Sequence, residues 1–242
     1  MFLSLFALSA AAFGAQDAPD RSGEAVFKEI LKSVAARTNV RYVVVRSVQF
    51  DPEETVGYDG NLSIIRRGKG EFRFDFASYW GDAFSVVMNA GKTRTDVSGE
   101  FEDSIQVTDK VKTVREALGM VNGESMAGKF GLMLDGEASF ATFVEEKSSV
   151  VSRPYGLSRV LVTIKERGDS TEVLARRLGS AWVVEQLVSR HKVMPGDEFS
   201  FEAAYAREDV FTEDLPVLPN WAFSVGGKVP AGAAARSWFL GR

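Results

Sequence analysis

The 242-residue chain contains no cysteine and one histidine. The missing cysteines exclude disulfides, zinc–thiolate sites, thiol nucleophiles, c-type haem and a lipid-modified N-terminal cysteine. A single histidine leaves little for metal or triad chemistry. No strong charge of either sign is present: the formal net charge is −4, and Lys and Arg are scattered. The densest basic stretch, Arg66-Arg67-Gly68-Lys69, is too short for a nucleic-acid footprint, so no nucleic-acid partner is expected. Tyrosine is also scarce, at 5 residues against 18 Phe. The chain therefore stores apolar aromatic area that offers no hydrogen bond.

Hydrophobic residues make up 45% of the chain and charged ones 26%, a composition that excludes disorder and suits one domain. Residues 1–14 are apolar and uncharged and end in Ala12-Phe13-Gly14, with small residues where a signal peptidase reads. They fall short of the roughly 20 residues of a membrane-spanning helix. This segment is expected to be a secretion signal cleaved after Gly14. The product is expected to be exported and soluble after cleavage, with no lipid anchor.

Gly23 to Arg37 carries Val26, Phe27, Ile30, Leu31 and Val34 at helical spacing, with Glu24, Lys28, Glu29 and Lys32 opposite. Strand patterns follow over Val40 to Phe50, Gly60 to Arg67, Glu71 to Phe76, Ala83 to Asn89 and Lys92 to Ser98. In the third, Phe72, Phe74 and Phe76 alternate strictly with Glu71, Arg73 and Asp75. One aromatic and one charged face predict an antiparallel sheet with one side wet. Leu62 with Ile64, and Phe84 with Val86 and Met88, keep the same phase.

Asp109 to Leu118 reads as a short helix. Glu124 to Leu134 is apolar and Met-rich, with Met126, Phe130 and Met133, and is broken by Gly128 and Gly131. It predicts a short helix or loop against the sheet. Ala138 to Glu145 reads as a strand. Val150-Val151 leads into Arg153-Pro154; Leu157 to Lys165, Glu172 to Leu178 and Ala181 to His191 read as a second meander, and Phe199 to Tyr205 suggests one more strand. The order of helix, meander, helical insert and meander predicts an α+β fold with one continuous sheet. The domain is expected over residues 23–220, with a tail over 221–242.

Several motifs carry no chemistry. Gly91-Lys92-Thr93 lacks the glycine a phosphate-binding loop needs at position 86, which is Val, and no helix pattern follows it. Gly68-x-Gly70 lacks a third glycine and a helix. His191 has no nucleophile motif to serve. No cofactor and no metal site is expected. What remains is apolar: Leu62, Ile64, Phe72, Phe74, Phe76, Phe84, Val86, Met88, Met126, Phe130 and Met133. These residues form either a plain core or a pocket for acyl chains. Burying acyl chain contributes roughly 0.8 kcal/mol per CH2, so such a pocket binds without polar recognition.

Gly60-Asn61-Leu62-Ser63-Ile64-Ile65-Arg66, then Phe72-Arg73-Phe74, then Val86-Val87-Met88-Asn89-Ala90-Gly91-Lys92-Thr93 resemble the outer-membrane lipoprotein carrier (LolA-like) family. The N-terminal amphipathic helix and secretion signal fit the same pattern. The resemblance implies a strongly curved antiparallel sheet, an incomplete β-barrel, with helices covering a hydrophobic concave face. It implies a non-catalytic carrier of lipid or lipoprotein acyl chains, acting as a monomer between an inner-membrane donor and an outer-membrane acceptor. Arg66 falls at the family's strand-end arginine, a position that implies contact with the lid. Where the family has Pro, this chain has Arg67 and a longer turn, and its last third matches no family motif. An envelope sensor or protein-interaction module on the same fold is the alternative reading.

Overall fold

The computed structural model describes residues 19–50, 55–68, 70–79, 83–98, 103–111, 113–119, 128–192, 204–215, 217–218 and 220–226. The expected signal, Met126, Phe199 and most of the tail lie outside these residues.

Helix α1 (Glu24–Ala36) buries Phe27, Ile30, Leu31 and Val34, the face its spacing predicts. Its start is tied down by Gly23 N–H, which donates to Val150 O at 2.7 Å. Strands β1 (Val40–Gln49), β2 (Gly57–Arg67), β3 (Glu71–Ser78), β4 (Ala83–Asn89), β5 (Lys92–Ser98) and β6 (Asp103–Thr108) form the first meander. Helices α2 (Val114–Gly119) and α3 (Gly128–Leu132), a 3-10 segment (Met133–Ser139) and α4 (Phe140–Phe143) form the insert. Strands β7 (Ser149–Pro154), β8 (Arg159–Glu166), β9 (Asp169–Leu178), β10 (Ala181–Arg190) and β11 (Tyr205–Asp214) return the chain to the centre.

All eleven strands belong to one antiparallel sheet in the order β6-β5-β4-β3-β2-β1-β11-β10-β9-β8-β7. Flat, it would be about 48 Å wide at ~4.8 Å per strand. Yet Phe84 and Val86 of β4 share one hydrophobic core with Val150 of β7 and Val162 of β8. The sheet is therefore strongly curved around α1 and the insert. Its two end strands do not pair with each other, so the barrel is incomplete.

Four local expectations need correction. Ala138 to Phe143 is helical, and Phe140 and Phe143, three residues apart, both pack on Phe27 (ring centroids 5.9 and 5.7 Å). The helix expected over Asp109 to Leu118 begins only at Val114, where the Thr113 hydroxyl accepts Glu116 N–H at 3.1 Å. The last strand starts at Tyr205, where the sequence pattern ends, and continues to Asp214 against β1. Strand β6 extends the first meander beyond the five strands expected; its apolar residues, Ile105 and Val107, face away from the core.

The charged side of β3 is not wet either. Arg73 and Asp75 are each 4% exposed. The last of the described residues cross the back of the sheet and pack Leu218, Ala222 and Phe223 on Ile65. They are held by Arg67, which donates to Leu218 O (3.2 Å) and Asn220 Oδ1 (2.7 Å), and by Asn89 Nδ2, which donates to Phe223 O (2.8 Å). Beneath them, Arg73 Nε donates to Asp75 Oδ2 (2.7 Å) and the Ser85 hydroxyl to Asp75 Oδ1 (2.6 Å). Charge alternation reports which residues share a face. Pairing can still keep that face buried.

Candidate functional site

Strand register sets the proposed acyl-binding residues in three rows on the inner face. Tyr42, Ile64, Phe74 and Val86 form one row, and Val44, Leu62, Phe76 and Phe84 the next. Arg66, Phe72 and Met88 form the third, toward the open end of the sheet. The Phe rings run as a ladder: Phe72 to Phe74 at 6.2 Å, Phe74 stacked on Phe84 at 5.6 Å, and Phe84 on Phe76 at 5.2 Å. Such offset aromatic contacts add to the area effect of burial. Phe130 and Met133 cover the ladder from the insert, with Phe130 edge-on to Tyr42 at 5.0 Å.

The insert closes as a lid with three polar fastenings. Phe130 N–H donates to Glu208 Oε2 (2.9 Å) and Lys129 N–H to Glu208 Oε1 (2.7 Å). Burial pushes the Glu208 carboxyl above the usual glutamate range, against the pull of Arg46 and these amides. Arg66 Nη1 donates to Leu134 O at 3.3 Å. Asp135 accepts the amides of Val114 and Arg115, each at 3.3 Å, and so ties α2 to the 3-10 segment. Burial raises the Asp135 carboxyl as well. The insert's glycines serve close approach: a Cβ on Gly131 would stand 2.9 Å from the Phe74 ring. Gly136, at φ 65°, lies where a Cβ would meet Ala35.

A cavity of about 440 Å3 opens at the edge of this lid. Phe72 and Met88 supply its sheet wall, Leu134 and Ala138 its lid wall, and Val111 and Val114 a third side. Arg66, Glu71, Asn89, Lys92, Thr113 and Asp135 supply its polar rim. Of the residues singled out in the sequence, Phe72, Met88 and Arg66 therefore reach the cavity. Leu62, Ile64, Phe74, Phe76, Phe84, Val86, Phe130 and Met133 lie deeper, in the closed core. Glu208 and Asp135 had no sequence signal; the first sits in an ordinary charged run on β11, Arg207-Glu208-Asp209.

A second cavity, of about 270 Å3, is lined mainly by polar side chains between the insert and β8–β10. His191 lines it and lies 3.5 Å from Asp169, while Lys129 Nζ donates to Thr171 Oγ1 at 3.0 Å. Asp169 could orient the imidazole, but among the described residues no hydroxyl is hydrogen-bonded to it, so the arrangement offers no triad. Among the described residues no group of three or more His, Asp or Glu is placed to hold a metal ion. No helix among them is long and apolar enough to cross a membrane.

Three solved structures are similar to the chain at low sequence identity. A LolA superfamily protein from Nitrosomonas europaea is 9% identical, covers 84% of this chain and 97% of its own, and has a TM-score of 0.33. A domain described as a putative outer membrane lipoprotein-sorting protein, from Vibrio parahaemolyticus, is 7% identical over 84% and 96% of the two chains, with a TM-score of 0.41. A DUF1329 family protein from Desulfovibrio piger is 8% identical over 85% and 98%, also at 0.41. No protein-family model and no curated protein matches the chain.

Proposed function

We propose that this protein is a non-catalytic carrier that takes acyl chains of a lipid or lipoprotein through the cavity at the lid edge. One observation carries the reading. The cavity's sheet wall is Phe72 and Met88, and Phe72 begins a ladder of rings that the insert covers. A chain entering there meets apolar side chains at once. If the insert lifts, the buried rows lengthen the groove. The cavity, at about 440 Å3, lies within the ~300–1,000 Å3 typical of small-molecule sites. In this reading the chain works in the periplasm, as a monomer, receiving cargo from an inner-membrane donor and delivering it to an outer-membrane acceptor.

Native mass spectrometry of the purified protein tests the proposal. Bound lipid, or uptake of lipid when vesicles are offered, is the expected result. Met88→Trp, which fills the cavity from a half-buried position, should reduce uptake while circular dichroism stays unchanged. Protein that carries no lipid and takes up none overturns the carrier.

A second reading, a protein-interaction module on the same fold, draws on β6. This strand ends the sheet, and its Ile105 and Val107 are 54% and 56% exposed. Such an edge can accept a strand from a partner. Crosslinking that recovers a stable partner through β6, from protein free of lipid, would favour it.

A further inference from the structure

We infer that the cavity mouth is a binding site for an anionic head group, so that the preferred cargo is an acidic amphiphile: an acyl chain ending in a carboxylate or phosphate. The inference rests on the carrier reading and deepens it.

The rim holds two cations and two carboxylates, and they are not equally committed. Glu71 is gripped at both oxygens by Arg67, at 2.6 and 2.7 Å, which holds its carboxyl below the usual range. Asp135 commits its two oxygens to the Val114 and Arg115 amides. Among the described residues the Arg66 side chain, by contrast, makes a single hydrogen bond, to the Leu134 carbonyl, and no bidentate pair with a carboxylate. Asp135 acts on it only through space. Lys92 lines the same cavity and forms no ion pair with any described residue. Arg66 and Lys92 are therefore the cations at the mouth that no described carboxylate grips at both oxygens.

Geometry places these charges where a head group would sit. Arg66 ends the row that continues through Phe72 to Met88, so its guanidinium caps the apolar wall. Lys92 opens β5 just after the turn at Ala90-Gly91, at the same end of the sheet. A chain laid along Phe72 and Met88 brings its polar end to Arg66 and Lys92. Arg66 is partly buried, so its attraction for an oxyanion is screened less than that of a surface arginine. A guanidinium also keeps its charge under such burial and donates to two oxygens at once.

Displacement of a neutral fluorescent probe, N-phenyl-1-naphthylamine, from the full chain tests the site. Dodecanoate and dodecyl phosphate should displace it on the order of tenfold more tightly than dodecanol, the scale of one charge-assisted contact. Arg66→Gln/Lys92→Gln should erase that preference, so that acid, phosphate and alcohol displace the probe alike. Lys92→Gln alone, at an exposed position, should remove part of it without any effect on folding. Inorganic phosphate should not displace the probe. Displacement by phosphate alone would make the site one for a free anion and overturn the amphiphile. Equal binding of acid and alcohol overturns the head-group site and leaves the carrier standing. Failure of all three dodecyl compounds to bind overturns the carrier itself.

Discussion

Glu208 of β11 reaches under the lid and accepts the Phe130 amide at 2.9 Å, so a central strand holds the first turn of α3. Its other oxygen takes the Lys129 amide at 2.7 Å. Both are bonds from a helix start to a buried carboxylate, the stronger kind of protein hydrogen bond. Glu208→Ala should therefore release the insert more than the sheet. Amide hydrogen exchange at Lys129 and Phe130 should quicken by on the order of tenfold, since such bonds contribute about 1.5–3 kcal/mol. Exchange in β3 and β4 should change less. Uniform quickening throughout the chain would mean that the lid and sheet open as one unit.

The same carboxyl sets a pH dependence. Burial raises the Glu208 pKa in the folded protein above its ordinary 4.5. Between that ordinary value and the raised one, the folded state keeps a proton that the unfolded state gives up. Stability from this group is thus greatest below the ordinary value and declines as pH rises through the window. Denaturant titrations of wild type and Glu208→Gln should diverge in slope there, with the variant flatter. Parallel curves would show that Glu208 titrates alike in both states.

The contact between Gly131 and Phe74 gives a prediction about packing. A methyl group added at Gly131 would lie 2.9 Å from the Phe74 ring, and Phe74 is fully buried. Gly131→Ala should cost about 1–3 kcal/mol in urea unfolding, as overpacking does. Phe74→Leu removes ring atoms facing the new methyl, so the double variant should lose less than the two singles added together. Strict additivity would show that the insert shifts away from Phe74 rather than pressing on it.

Period-two patterns made much of the fold legible. The rows of Leu62, Ile64, Phe72, Phe74, Phe76, Phe84, Val86 and Met88 follow from the order of residues, because alternation alone fixes which side chains share a face. The arrangement of the insert does not. Its short helices are set by tertiary fastenings from Glu208, Asp135 and Arg66, which come from separate parts of the chain and sit in unremarkable local contexts. Nor does the covering of the charged face. That depends on Leu218 and Phe223 returning to strands more than a hundred residues earlier. The cavity follows from neither pattern: it lies where sheet, α2 and insert leave space between them.

The buried Arg73–Asp75 pair offers the sharpest energetic test. Both side chains are 5% exposed, and Asp75 also accepts the Ser85 hydroxyl at 2.6 Å. Burial raises the Asp75 carboxyl even so, with Arg73 pulling the other way. The pair is therefore matched rather than strongly stabilising. Asp75→Ala leaves a guanidinium beneath the C-terminal residues without this partner and should cost about 3–5 kcal/mol. Arg73→Met/Asp75→Leu removes both charges and fills similar volume, and should recover most of that loss. Recovery should stop short of complete, because Arg73 Nη1 also donates to Ala222 O at 3.4 Å and helps hold those residues on the sheet. Chemical denaturation of the three proteins gives the ordering: wild type, then the double variant, then Asp75→Ala. A double variant no more stable than Asp75→Ala would show that the ion pair contributes beyond satisfying its own two charges.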